Sequence, residues 1–173
     1  KFLYVLSWII FIGLCLEAGI FLFNTFFRFF IDPEDAHLFW QEVNLTGLYD
    51  YDRGYYFIET SLMTGVAVTK AWMFYLIVKL LHDKKLNLLQ PFNNEVRRFI
   101  SATAYLSLLI GLLSHYGAKF AEWFVKEGVD MPGIQRMGIG GADVWMFMGV
   151  ILLVIAQIFK RGIEIQAENE LTV

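Results

Sequence analysis

Cysteine, proline and basic charge are the scarce components of this chain, and each scarcity excludes something. One cysteine, Cys15, stands in 173 residues. No internal disulfide can form, and no zinc-type Cys/His spacing exists. Three prolines leave long stretches free to be helical, since proline breaks helix interiors. A formal charge of −3, with no basic stripe beyond short flanking clusters, argues against a nucleic-acid surface. No glycine loop follows a strand-like run, so Gly138, Gly140 and Gly141 make no phosphate cradle or dinucleotide site. They read instead as a flexible approach to the last apolar segment.

Apolar sequence is abundant. The chain is 57% hydrophobic and 17% aromatic, with a mean hydropathy of +0.53. Soluble domains hold about 45–50% apolar residues, so the excess belongs in lipid. Four runs are long enough to cross a bilayer: about 2–30, 56–81, 99–116 and 144–159. The first is too long for a signal-peptide core and lacks a small-residue cleavage site, so it is expected to stay in the membrane. Within it, Cys15 reads as a small buried apolar residue.

The predicted fold is therefore an all-α membrane protein: a single domain forming a bundle of four transmembrane helices. Outer connections cover 31–55 and 117–143, an inner connection covers 82–98, and a tail covers 160–173. Lys1, Lys79, Lys84, Lys85, Arg97, Arg98, Lys160 and Arg161 fall on one side of such a bundle. The positive-inside rule makes that side cytoplasmic, with both termini there. The opposite side carries an acidic run from Asp32 to Asp52 and a belt of phenylalanines, tyrosines and tryptophan that reads as interfacial anchoring.

Short amphipathic helices are expected on the outer surface. Asp32-Pro33-Glu34-Asp35 has the form of a helix start, with Asp32 as cap and Pro33 in the first turn, running to about Val43. Ala118 to Lys126 places Phe120, Trp123 and Phe124 against Lys119, Glu122 and Lys126, as a surface helix does. Asn44-Leu45-Thr46 matches a glycosylation sequon, a frequent accident.

Charges inside the apolar runs are the candidate functional residues. Glu17 and Arg28 lie eleven residues apart in the first span, and Glu59 and Lys70 eleven apart in the second. Eleven residues is about three helical turns, so each pair shares one face, roughly 16 Å apart. A single antiparallel register sets Glu17 opposite Lys70 and Arg28 opposite Glu59. An unpaired charge at mid-membrane costs roughly 2.5–3.5 kcal/mol on insertion scales, so matching ions offset a real penalty. Glu17 with Lys70 reads as a register lock between the first two spans. The alternatives are a proton- or ion-responsive site, and charges that face a partner subunit. Asn24 shares the first-span face and offers polar support between the pairs. Arg28 with Glu59 is expected near the outer headgroups, where water screens it to under about 1 kcal/mol.

No catalytic constellation appears. Ser101, Thr103, Ser107 and Ser114 have no activating base nearby and read as packing residues. His82 is expected at the inner face and His37 and His115 outside, so only the latter two could share a haem.

The inner connection reads Leu86-Asn87-Leu88-Leu89-Gln90-Pro91-Phe92-Asn93-Asn94-Glu95-Val96-Arg97-Arg98. Pro91 ends the preceding helix, and Asn93 or Asn94 caps the next. The chain closes with Gln166-Ala167-Glu168-Asn169-Glu170-Leu171-Thr172-Val173. A Pro-Phe before a polar, Arg-bearing helix start, with this tail, resembles a family of bacterial membrane proteins catalogued as domain of unknown function 2975. The resemblance implies a small multi-pass protein of the bacterial inner membrane in a regulatory setting, often encoded beside a small helix-turn-helix regulator. It brings no catalytic residues. The combined expectation is a non-enzymatic regulatory or accessory subunit, without metal or cofactor, that contacts lipid and other membrane subunits or a cytoplasmic regulator. The alternatives are a small transporter or proton-linked sensor using Glu17 and Lys70, and a redox subunit with haem or quinone near His115.

Overall fold

The computed structural model describes residues 2–30, 43–83 and 92–170, with the side chains of 27–30 and 170 excepted. Five helices follow in order: α1 (Phe2–Phe30), α2 (Thr46–Tyr51), α3 (Arg53–His82), α4 (Asn94–Lys126) and α5 (Ala142–Glu170). All but α2 are long and apolar enough to span a bilayer. The protein is a multi-pass membrane protein by that measure. The helix expected from Asp32 onward lies outside the described residues up to position 42, as do Lys84 to Pro91.

Close packing runs from α1 to α3, from α3 to α4 and from α4 to α5. The four long helices of the expected bundle thus stand in a row by their close contacts. Burial follows that order. Of the most apolar stretch of each helix, 44% is buried in α3 and 28% in α4, against 17% in α1 and 11% in α5. The flanking helices turn large side chains outward, among them Ile9, Leu16 and Phe23 on α1 and Phe147, Val154 and Ile158 on α5. Such faces belong against lipid or another membrane helix.

The α1–α3 hairpin is antiparallel. Tyr4 hydroxyl and His82 Nδ1 are 3.0 Å apart at one end, Phe11 meets Tyr75 further along, and Thr25 meets Thr64 at 3.0 Å. Thr25 also donates to the Thr60 carbonyl at 3.5 Å, so it sits between Thr60 and Thr64. This is where a register aligning Glu17 with Lys70 places it.

A stripe of small residues on α4 lets its neighbours approach closely. Ala104, Ser107, Gly111, Ser114, Gly117 and Ala121 are all buried along it. Across from it, a Cβ on Gly149 of α5 would meet Leu108 Cγ and the Ala104 carbonyl at 2.6 and 3.1 Å. Small residues at such crossings supply the van der Waals contact that holds membrane helices together.

Two helices exceed their predicted spans. The segment expected as a separate surface helix from Ala118 simply continues α4 to Lys126, because nothing between Tyr116 and Lys126 breaks helical hydrogen bonding. The tail likewise continues α5 through Glu170. At the opposite end of α4, Asn93 accepts from the Val96 amide at 2.8 Å and is the N-cap. Phe92 beside it packs its ring on Phe159 at 5.2 Å and covers Gly162 of α5.

One end of the row is capped by the connections. Val43, Leu45 and Leu48 around α2 are buried, and Tyr49 meets Tyr56 edge-on at 5.3 Å. Tyr55 and Tyr51 pack on Phe124. These rings form a core: Tyr56 is 0% and Phe124 1% exposed. The anchoring belt expected here is therefore only partly a belt, with Tyr51 and Tyr55 left exposed.

Candidate functional site

Part of the connection between α4 and α5 is drawn into the interior. It turns at Gly138 and Gly141, both with positive φ (73° and 74°), and sends Met137 and Ile139 fully into the interior. Glycine adopts that backbone conformation without a Cβ penalty. Non-helical backbone among apolar helices needs its polar groups satisfied from within. Lys70 of α3 does this: its Nζ donates to the Gly138 carbonyl at 2.9 Å. From α1, Glu17 and Phe21 flank the same glycine, with Glu17 Oε1 3.7 Å from where a Cβ on Gly138 would stand. The Glu17 carboxylate acts electrostatically on the Lys70 ammonium. The two side chains converge on Gly138, whereas an ion pair in direct contact is formed by the exposed Arg161 and Glu164 at 3.1 Å. Asn24, the expected polar support, donates back to the Ile20 carbonyl of its own helix at 2.9 Å.

Glu59 occupies a different environment from the wet rim expected of it. It is 0% exposed, and neither carboxylate oxygen has a hydrogen-bond partner among the described residues. The Arg28 side chain, opposite it in the register, lies outside the described residues. Glu59 points at α4, where a Cβ on Gly117 would lie 3.5 Å from Oε1 and 3.0 Å from Ile139 Cδ1. Ser114, one turn earlier on the same face of α4, is also 0% exposed, and its hydroxyl has no partner among the described residues. Thr60 is committed to the Tyr56 carbonyl at 2.9 Å. Ser114 packs there as expected, and its hydroxyl is buried with it. The signal was there in its spacing from Gly111 and Gly117, which puts the hydroxyl on the crowded stripe of α4.

The histidines are dispersed. His37 lies outside the described residues, His82 is engaged with Tyr4, and His115 sits edge-on to Tyr116 at 5.9 Å. Among the described residues no three His, Cys, Asp or Glu side chains cluster as a metal site. Cys15, expected to be buried, is exposed. It lines an apolar groove with Phe11, Gly19, Leu22 and Trp72.

A family model described as a protein of unknown function (DUF2975) matches residues 30–173. The chain belongs to the DUF2975 family. The matched part of this DUF2975 protein holds Glu59, Lys70, Ser114, Gly117 and Gly138, whereas Glu17 and Asn24 precede it. No curated protein and no solved structure matches the chain.

Proposed function

We propose that this DUF2975 protein is a non-enzymatic regulatory or accessory protein of the bacterial inner membrane that responds to proton binding at Glu59. One observation carries the reading: a carboxyl group sealed at 0% exposure in a membrane-spanning helix, against Gly117 of α4, with no hydrogen bond to either carboxylate oxygen among the described residues. Intramembrane ionisable groups are costly, and those retained mark proton or ion sites by default. An ionised carboxylate without a counter-ion costs far more in such a place than a neutral carboxyl. A change of charge at Glu59 therefore changes how closely α3, α4 and the Ile139 segment can stay together. The outward apolar faces of α1 and α5 are where a partner subunit would sense that change. Lys79, Arg97, Arg98, Lys160 and Arg161 favour a cytoplasmic location for the end of the row that carries them, and so for both termini.

Glu59 lies against Gly117 of α4, on which Ile139 also packs, and Lys70 stands three turns along α3. Hydrogen exchange followed by mass spectrometry in lipid nanodiscs tests the reading. After correction for the intrinsic pH dependence of exchange, amides of 56–64 and 110–117 are expected to open as pH rises in the wild type. The Glu59→Gln variant is expected to stay closed throughout. Identical profiles for the two proteins would remove Glu59 as the responsive group.

A further inference from the structure

The side of α5 turned away from α4 carries a seven-residue repeat. On the α4 side, Gly149 packs on Leu108, and Ala156, seven residues on, is buried. On the other side Val144, Ile151, Ile158 and Ile165 recur every seventh residue, all β-branched and all exposed. Phe147 and Val154 stand between them, also exposed. The steps alternate three and four over three heptads, the a and d positions of a helix–helix seam. Lipid asks for no such period, and lipid ends with the apolar run. The seam does not: Ile165 lies beyond Lys160 and Arg161, where α5 has left the apolar zone.

Polar groups on the same side say what the seam meets. Gln157, exposed beside Ile158, still lies within the apolar run, one turn short of Lys160. A side-chain amide at that depth is stabilised by a hydrogen-bonding partner helix. It both donates and accepts, so the same amide on a second copy satisfies it. Copies of one membrane protein share an orientation, and a twofold axis along the membrane normal sets their Gln157 side chains level. Arg161 takes the next seam position and holds Glu164 at 3.1 Å. Two such pairs facing across the axis offer each cation a second carboxylate, so this face is complementary in charge to itself. We infer that the protein is a parallel dimer in which α5 packs along α5 of a second copy, from Val144 to Ile165. The two helices cross at the shallow left-handed angle of about +20° that heptad seams adopt in membranes. The dimer needs no proton binding at Glu59, so either reading can fail without the other.

Disulfide trapping in the membranes of expressing cells tests the seam, with Cys15→Ser as the background. Ile151→Cys, Val154→Cys and Ile158→Cys are expected to give cross-linked dimers on mild oxidation. Leu152→Cys and Leu153→Cys, placed between Gly149 and Ala156 on the α4 side, are expected to give none. The wild type reports chance collision through Cys15, exposed on α1, and is expected to stay uncross-linked. A second measurement counts photobleaching steps of a dye on Cys15 in liposomes at falling protein-to-lipid ratio. Gln157→Leu is expected to weaken the dimer about threefold to twentyfold, the size of one hydrogen bond between membrane helices. Arg161→Glu is expected to weaken it as well, and Arg161→Glu with Glu164→Arg to restore it. These side chains are on the surface, so helical circular dichroism of the variants should be unchanged. Cross-linking at Leu152 or Leu153 as strong as at Ile151, none at any seam position, or single-step bleaching at every ratio would overturn the dimer. So would a Gln157→Leu variant that associates as the wild type does.

Discussion

Gly111→Ala should loosen the grip of α4 on α5. A Cβ at Gly111 would stand 2.5 Å from Met146 Cγ, 3.0 Å from the Met146 amide nitrogen and 3.1 Å from the Ala142 carbonyl oxygen. The first contact can be relieved by turning a flexible methionine, but the other two are backbone and yield only if the helices separate. Overpacking of this kind costs about 1–3 kcal/mol. Alanine also favours a helix over glycine by up to about 1 kcal/mol, which masks part of the effect. Gly13→Ala in α1 supplies the control, because nothing lies within 4 Å of a Cβ there. Both substitutions carry the same propensity gain, so their difference isolates the packing cost. Reversible unfolding in mixed micelles, followed by helical circular dichroism, should place Gly111→Ala about 1–3 kcal/mol below Gly13→Ala. Equal stabilities would refute the idea that backbone approach holds α5 in place. The point matters because α5 buries so little else, only 11% of its most apolar stretch.

Two further outcomes follow from the interior hydrogen bonds. Lys70→Met keeps the stem but removes the donor to the Gly138 carbonyl; a charge-assisted bond of about 1.5–3 kcal/mol is lost. Amides of 133–140 should then exchange about tenfold to a hundredfold faster, and unchanged protection would show that Lys70 does not tether the connection. Thr25→Val strands the Thr64 hydroxyl, so adding Thr64→Val should cost less than the two single changes summed. The coupling expected for such an intramembrane pair is about 0.6 kcal/mol, up to about 1.7. Strict additivity in a double-mutant cycle would deny the contact.

Long apolar runs announce membrane helices well, and the four long helices were legible for that reason. The position of Thr25 between Thr60 and Thr64 was legible too, because charges that are expensive in lipid constrain how two helices slide past each other. Helix ends were read short at Tyr116 and Phe159, since hydropathy falls where the chain leaves the apolar zone while backbone hydrogen bonding carries on through Ala118-Lys119 and Lys160-Arg161. The environment of Glu59 was not legible. Its distance along the chain from Lys70 suggested a wet rim, but the cap of α2 and the inward Ile139 segment, which are tertiary features, seal that end. The convergence of Glu17 and Lys70 on a glycine carbonyl was equally hidden, because the partner is backbone some seventy residues away and carries no side-chain signature.

The solitary thiol has a practical use. Cys15 faces outward from α1 onto the groove shared with Val68 and Trp72 of α3, so a nitroxide or fluorophore attached there needs no background cysteine removed. Trp72, itself exposed, stands ready as an intrinsic quencher. A spectroscopist thus receives a native gauge of any parting of the first hairpin.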